Sequence, residues 1–438
     1  MSYQDAMAVV SKFGKPDLFI TFTANPNWKE VKENLLPGQQ TADRPDLISR
    51  VFHHKMNALL TDIEKNNLFG SVAAYVAVVE WQKRGLPHCH ILVSLHSKDK
   101  IRTAHQAEKF IKAEIPDQDL GPELYEKVTK QIMHRVCFSL VGDSAPCYES
   151  INGLKKCSKG YPKQFSENTI LNEDSYPCYQ RRDDGKFYVH NNFRLDNRYV
   201  VPYCPYLLNK FNCHVNVEVC GMIKAVKYLF KYVYKGHDKA RLRLENNQDE
   251  ISSFADGRYI CAPEAVHRIL GYKIERRSHS VFCLHVHEPN NRLVRFQPGQ
   301  EREAVDKANE VHSTLEAWFE LNLNREKCHY DFDPRSLLYT EIPKHFIFAS
   351  GKWNARKRYS KPVIGRIHYV SPHQTERFAL RMLLLSRKGI TSFQEMMTVD
   401  GELFSSFSET AKAMGLLFED DGLKKQLMRQ LLIICLLN

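Results

Sequence analysis

The sequence predicts an α/β (α+β) fold, with a first domain over residues 1–240 and a mixed α/β region over 241–438. Three observations support it. Helix-like and strand-like patterns alternate through residues 1–100. Two strand-like segments, Ser71–Gln82 and His88–Leu95, are separated by the short Lys83–Pro87 connection of a hairpin. A period-two segment, Cys213–Cys220, runs directly into a helical pattern from Met222 to Gly236.

The remaining elements follow in order. Asp17–Ala24 (DLFITFTA) reads as a strand stopped by Asn25-Pro26, and Asp46–Asn66 has helical periodicity. Residues 101–200 are polar, contain cysteines and lack long periodic segments, which predicts a loop-rich insertion within the first domain. In the C-terminal region, strands are expected near Ser280–His287 and Ile364–Val370, and helices near Glu301–Asn322 and Thr375–Arg387.

Bulk composition narrows the partners. The chain has 62 Lys and Arg against 51 Asp and Glu, a formal net charge of +11, which favours an anionic partner. Nucleic acid comes before membrane, because no basic amphipathic anchor stands out and the longest apolar run, Leu431–Leu437, is far too short to span a bilayer. No signal-peptide pattern opens the sequence, and the 12 cysteines are scattered over a long chain, so a reducing intracellular location is expected. No G-x-x-x-x-G-K-[ST] phosphate loop occurs, so an ATPase motor is not encoded in these residues.

The sharpest motif is Glu80-Trp-Gln-Lys-Arg-Gly-Leu-Pro-His88-Cys-His90. Two histidines one residue apart on a strand project from the same face, which makes a divalent-metal half-site. Glu80 and Gln82 share their parity if the hairpin pairs 82 with 88 and 80 with 90. The third ligand is then Glu80, with Gln82 or Glu218 as alternatives. The later His285-Val-His287 has no such upstream carboxylate and reads as structural.

The second motif is Lys227-Tyr228-Leu-Phe-Lys231-Tyr232-Val-Tyr234-Lys235. On a helix, Met222, Val226, Leu229, Phe230 and Val233 make one apolar stripe, while Tyr228 and Tyr232 are i,i+4 neighbours off that stripe. Tyrosine can act as a nucleophile that forms a covalent intermediate. Lys231 and Lys235 flank the pair as phosphate contacts, and Tyr234 points elsewhere.

Taken together, an H-hydrophobe-H hairpin followed by a two-tyrosine helix resembles the HUH endonucleases, and the wording is most similar to the Rep domain of Helitron transposon proteins. Phe19–Trp28 (FITFTANPNW), Glu80–Val93 (EWQKRGLPHCHILV), Val200–Cys220 (VVPYCPYLLNKFNCHVNVEVC) and Lys227–Asp238 (KYLFKYVYKGHD) carry the match in the family's order. A weaker likeness runs on through DGRYICAPEAVHRI and GRIHYVSP to TSFQEMMTVDG. The resemblance implies an antiparallel-sheet palm with flanking helices and metal-dependent nicking and joining of single-stranded DNA in rolling-circle-like transposition. It assigns metal binding (Mg²⁺ or Mn²⁺) to His88 and His90 and nucleophilic roles to Tyr228 and Tyr232. The family continues into a helicase that these residues do not contain, so a truncated copy, competent for nicking at most, is expected, acting in the nucleus.

Further candidates are weighed beside these. His134, Cys137, Cys147 and Cys157, with Cys178 as a substitute, offer an imidazole and thiolates for structural zinc, or are ordinary reduced cysteines. His214, Asn216 and Glu218 alternate on one strand face, as an active-site floor or a hydrogen-bonded core. Thr21, Thr23, Asn25, Trp28 and Arg84 are candidates to line a DNA path, although threonine in a strand is also simple β propensity. Two other functional readings stay open: a non-catalytic, zinc-stabilised DNA-binding relic, and a metal-dependent hydrolase that acts through water.

Overall fold

The computed structural model describes residues 3–81, 85–135, 147–151, 154–171, 176–220, 239–243, 254–258, 260–292, 299–324, 333–357 and 362–417. They form two compact units, Phe13–Arg277 and a second made of Met1–Lys12 with Ser278–Asn438.

The first unit is built on strand β1 (Leu18–Thr23), helix α1 (Pro45–Glu64), strands β2 (Val72–Trp81) and β3 (Pro87–Leu95), helix α2 (Pro205–Phe211), strand β4 (Val215–Val219), helix α3 (Ala262–Ile269) and strand β5 (Glu275–Arg277). The sheet order is β5-β2-β3-β1-β4, with every neighbouring pair antiparallel. Successive side chains along a strand point to opposite faces. One face presents Leu18, Ile20 and Phe22 of β1, Ala77 and Val79 of β2, Cys89, Ile91 and Val93 of β3, and Val215 and Val217 of β4 to the core. Helix α1 supplies the facing layer through Ile48, Phe52, Met56, Leu59 and Ile63, which recur at helical spacing and are all buried. Phe22 and Phe52 stack with centroids 5.6 Å apart at the centre of this contact. Lys210 of α2 donates to both carboxylate oxygens of the buried Asp62, at 2.8 and 2.7 Å, and ties α2 to the end of α1.

The first unit extends past the expected boundary at residue 240. Glu275–Arg277 forms the sheet edge beside Val76–Val78, and Ser49 of α1 donates to the Pro263 carbonyl of α3 at 2.9 Å. A three-residue strand is too short to show in a period-two pattern, so the sequence does not reveal it.

Among the described residues of the 101–200 insertion, short hairpins form at Tyr148–Ile151/Leu154–Cys157 and Tyr188–His190/Phe193–Leu195. A small core of Ile115, Val128, Ile132, Val200, Tyr203 and Leu208 holds it together. The buried Arg181 adds a polar tie, with Nη1 donating to the carbonyls of Ala113, Asn197 and Val200 at 3.2, 2.8 and 2.6 Å.

In the second unit, Ser280–Leu284 and Val363–Ile367 pair in parallel. The helix expected over Glu301–Asn322 is two helices, Glu301–Glu310 and Thr314–Leu323. Ser313 accepts from the Glu316 backbone while the Glu316 side chain accepts from the Ser313 backbone, a capping box that starts the second helix afresh. His287 is buried, with Nε2 2.8 Å from Ser313 Oγ and Nδ1 3.0 Å from the Glu288 carbonyl, which agrees with its reading as structural.

Phe52 has no exposed surface and sits between helix and sheet. Phe52→Ala should cost about 3–5 kcal/mol of stability, measured as a lowered urea midpoint with an unchanged slope.

Candidate metal and nucleic-acid site

The sheet face opposite the core is polar, and β3 lies at its centre. Its histidines follow from alternation: with Cys89, Ile91 and Val93 committed to the core, His88 and His90 must face the other way. Three rows of side chains cross this face. Glu80, His88, Thr23 and His214 form the first, Val78, His90, Thr21 and Asn216 the second, and Val76, Leu92, Phe19 and Glu218 the third.

The hairpin register differs from the expected one. Glu80 lies opposite His88, Val78 opposite His90, and Trp81 opposite Pro87. A shift in which 80 and 88 replace 80 and 90 as partners preserves parity, so Glu80 still shares the histidine face. Pro87 lacks an N–H and stands at the first position of β3, where proline is tolerated, while its carbonyl accepts from Ala24 N at 2.9 Å.

Both imidazoles are buried, His88 at 5% and His90 at 6% exposure, so their polar atoms need partners within the protein. Thr23 Oγ1 is 2.7 Å from His88 Nδ1, and Thr21 Oγ1 is 3.1 Å from His90 Nδ1. His90 also stacks on Phe19 with centroids 5.7 Å apart, and its Nε2 lies 3.0 Å from Glu80 Oε1. His88 Nε2 has no hydrogen-bond partner among the described residues. Burial, followed by the neighbouring His90 and His214, lowers the His88 pKa to about 3. A neutral imidazole with a nitrogen unpartnered among the described residues, a second imidazole and a carboxylate put donors of the chemistry a divalent cation takes on one face.

The strand β4 floor joins this face. His214 Nδ1 is 2.7 Å from the Gln131 carbonyl, and Asn216 Nδ2 donates to Glu218 Oε1 at 3.0 Å. Burial raises the Glu218 carboxyl to about 7, with Lys163 and Lys159 pulling it back down. Those lysines carry no motif that sequence reading picks up, because the insertion brings them here through the fold.

A second group lies in the insertion. The base of the Tyr148–Ile151/Leu154–Cys157 hairpin sets Cys147 beside Cys157, with Ser158 N donating to the Cys147 carbonyl at 2.7 Å. His134 Nε2 lies 3.8 Å from each sulfur, and its ring stacks on Tyr161 at 4.2 Å. Among the described residues, His134, Cys147 and Cys157 are the trio whose ligating atoms all lie within 4.8 Å of one another, and Glu80, His88 and His90 share a face without converging to that degree. Tetrahedral bonds of about 2.0–2.3 Å place ligand atoms roughly 3.3–3.8 Å apart, and the two nitrogen–sulfur distances of 3.8 Å lie at the upper end of that range. Cys137 lies outside the described residues, and Cys178 is exposed.

Two expected DNA contacts are structural. Trp28 is 1% exposed, and its indole N–H donates to the Phe211 carbonyl at 2.7 Å. Asn25 is 5% exposed, with Nδ2 donating to the Asn212 carbonyl at 2.7 Å and Oδ1 accepting from Asn27 N at 2.9 Å. Both close the end of β1 against the end of α2, so neither ring nor amide is presented to a ligand. Thr21 and Thr23 are engaged with the imidazoles rather than lining an open path. Gln82, Arg84, Tyr228, Lys231, Tyr232 and Lys235 lie outside the described residues.

Residues 1–93 match the Helitron helicase-like domain at N-terminus. This Helitron-like segment ends inside β3 and contains Glu80, His88 and His90, together with the threonines that contact the two rings. No curated protein matches the chain. No described helix is long and apolar enough to cross a membrane.

Glu218 supplies a pH test. Its folded pKa is raised from 4.5 to about 7, so the folded state holds its proton more tightly than the unfolded state between those values. Its contribution to stability is therefore lost as pH rises from about 4.5 to about 7. Glu218→Gln should flatten this part of the pH–stability profile and gain relative to the wild type above pH 7, read from thermal midpoints across the range.

Proposed function

We propose that this chain nicks and joins single-stranded DNA by tyrosine transesterification, as a Helitron-type HUH endonuclease acting in rolling-circle-like transposition. The observation that carries the reading is the buried His88–His90 pair on the polar sheet face, with Glu80 beside it and His88 Nε2 unpartnered among the described residues. The match of residues 1–93 to the Helitron helicase-like domain and the net charge of +11 support the same partner, DNA. A nuclear location follows from that role.

Glu80, His88 and His90 would hold Mg²⁺ or Mn²⁺, which supplies Lewis-acid polarisation of the scissile phosphate. The chain's own residues do the rest. Thr21, Thr23 and Phe19 hold the imidazoles in place. Tyr228 or Tyr232 attacks phosphorus through its phenol oxygen. A Tyr–O–P bond forms, the bond from phosphorus to the 3′ oxygen breaks, and that oxygen takes up a proton in place of the one the phenol loses. The products are a 5′-phosphotyrosine and a free 3′-OH, and the second tyrosine serves a second cleavage or the joining step. Lys231 and Lys235, and Arg84 at the hairpin, contact the DNA backbone. A paired duplex obstructs access to the face, so single strands are the substrate, and affinity falls steeply with salt.

His134, Cys147 and Cys157 bind zinc in this reading, with Cys137 as the fourth ligand and the hairpin of the insertion as the element it stabilises. That group also favours a second reading, a zinc-stabilised DNA-binding relic without chemistry.

A denaturing gel with a labelled single-stranded oligonucleotide and Mn²⁺ separates the readings. A covalent adduct is expected. Tyr228→Phe with Tyr232→Phe should abolish it while DNA binding persists, and His88→Ala should abolish it at wild-type folding. A mobility shift without cleavage favours the relic, and cleavage without adduct favours attack by water. Elemental analysis of the purified chain should find one zinc, and Cys147→Ser or Cys157→Ser should lose it together with thermal stability. Zinc-free wild-type protein would remove the structural-metal assignment.

A further inference from the structure

Strand β1 places a hydroxyl behind each histidine. Thr21 is the register partner of His90 and Thr23 of His88, and each Oγ1 meets Nδ1 of its own ring, at 3.1 and 2.7 Å. In both rings Nε2 is the nitrogen on the far side from β1, and the two Nε2 atoms have different surroundings. His90 Nε2 faces a carboxylate oxygen of Glu80 at 3.0 Å, whereas His88 Nε2 has no partner among the described residues.

For neutral rings these contacts suit one proton placement each. A carboxylate oxygen accepts, so His90 holds its proton on Nε2, and its Nδ1, left with a lone pair, accepts from the Thr21 hydroxyl. At His88 a proton on Nε2 would be a buried donor with no partner among the described residues, so the proton sits on Nδ1 and is donated to Thr23 Oγ1. His88 is thus already set to offer Nε2 to a cation, and His90 is not. For His90 to ligate through Nε2, its single ring proton must move to Nδ1, and the bond to Thr21 must reverse. A hydroxyl can be donor in one state and acceptor in the other, which no aliphatic side chain of the same shape can do.

We propose that Thr21 and Thr23 are positioning residues of the metal centre, with Thr23 locking His88 in its cation-ready tautomer and Thr21 reversing its hydrogen bond as His90 takes up the ion. The inference rests on the metal role assigned to His88 and His90 above. Partners of this kind raise ligand affinity by about 10- to 100-fold.

The test uses the full chain with ¹⁵N-labelled histidine. Without metal, His88 should show the Nδ1–H pattern and His90 the Nε2–H pattern, and saturating Mg²⁺ should convert His90 to Nδ1–H. Thr21→Val should alter the His90 signals and leave those of His88, Thr23→Val should do the converse, and each should weaken Mn²⁺ binding by about 10- to 100-fold in calorimetry. Thr21→Ser and Thr23→Ser should restore both readouts. Wild-type Mn²⁺ affinity in the valine variants, or both rings showing Nε2–H without metal, overturns this inference alone. A wild-type chain that binds no Mn²⁺ sensitive to His88→Ala overturns the metal reading and this inference with it. Should a valine variant fail to fold, the wild-type tautomers and the serine variants still decide.

Discussion

The organisation of the first unit depends on the burial of β3 along both faces. All nine residues of Pro87–Leu95 are buried, and the strand lies between β1 and β2 in the middle of the sheet. Alternation then forces a division of labour. Cys89, Ile91 and Val93 go to the α1 layer, and the two histidines are confined to a face where water does not satisfy them. Burying polar atoms is costly unless they are partnered. The partners come from the adjacent strands, as hydroxyls on β1 and a carboxylate on β2, and His88 Nε2 has no partner among the described residues. The candidate centre is thus a by-product of the sheet's packing, held by the same strands that make the core.

The two candidate metal groups obey different constraints. The sheet group is positioned by long strands, and its donors are hard or borderline, an oxygen and two nitrogens, which suits an exchangeable catalytic cation. The insertion group combines two sulfurs and a nitrogen at the base of a four-residue-strand hairpin, in a segment with a core of only modest extent. Soft ligands at the base of a short hairpin suit a structural ion. Lys159 and Lys163 come from the same segment and act on Glu218, so folding of the insertion bears on the electrostatics of the sheet face.

In the first unit the sequence was legible wherever periodicity is strong. Leu18–Thr23, Pro45–Glu64, Val72–Trp81, Pro87–Leu95 and Val215–Val219 lie within a few residues of their expected spans. It was less legible where structure depends on partners. Glu275–Arg277 is a strand only because β2 offers an open edge, and the break between Glu310 and Thr314 arises from a capping box where a polar helix gives way to an apolar one. By sequence, Trp28 and Asn25 are candidate DNA contacts. The carbonyls of Phe211 and Asn212, almost two hundred residues away, claim them instead.

What the sequence by itself determined is parity. The period of two places Glu80, His88 and His90 on one face and the aliphatic residues between them on the other, and no change of register by two residues can alter that. The antiparallel hairpin and the Helitron-like wording of the N-terminal segment were equally readable, since both are local in the chain. Only the tertiary structure decided that Glu80 stands opposite His88, that Thr21 and Thr23 supply the hydroxyls behind the rings, and that His134 meets Cys147 and Cys157. Side-chain direction along a strand follows from backbone geometry within a few residues, whereas register and ligand convergence depend on how distant segments share one core.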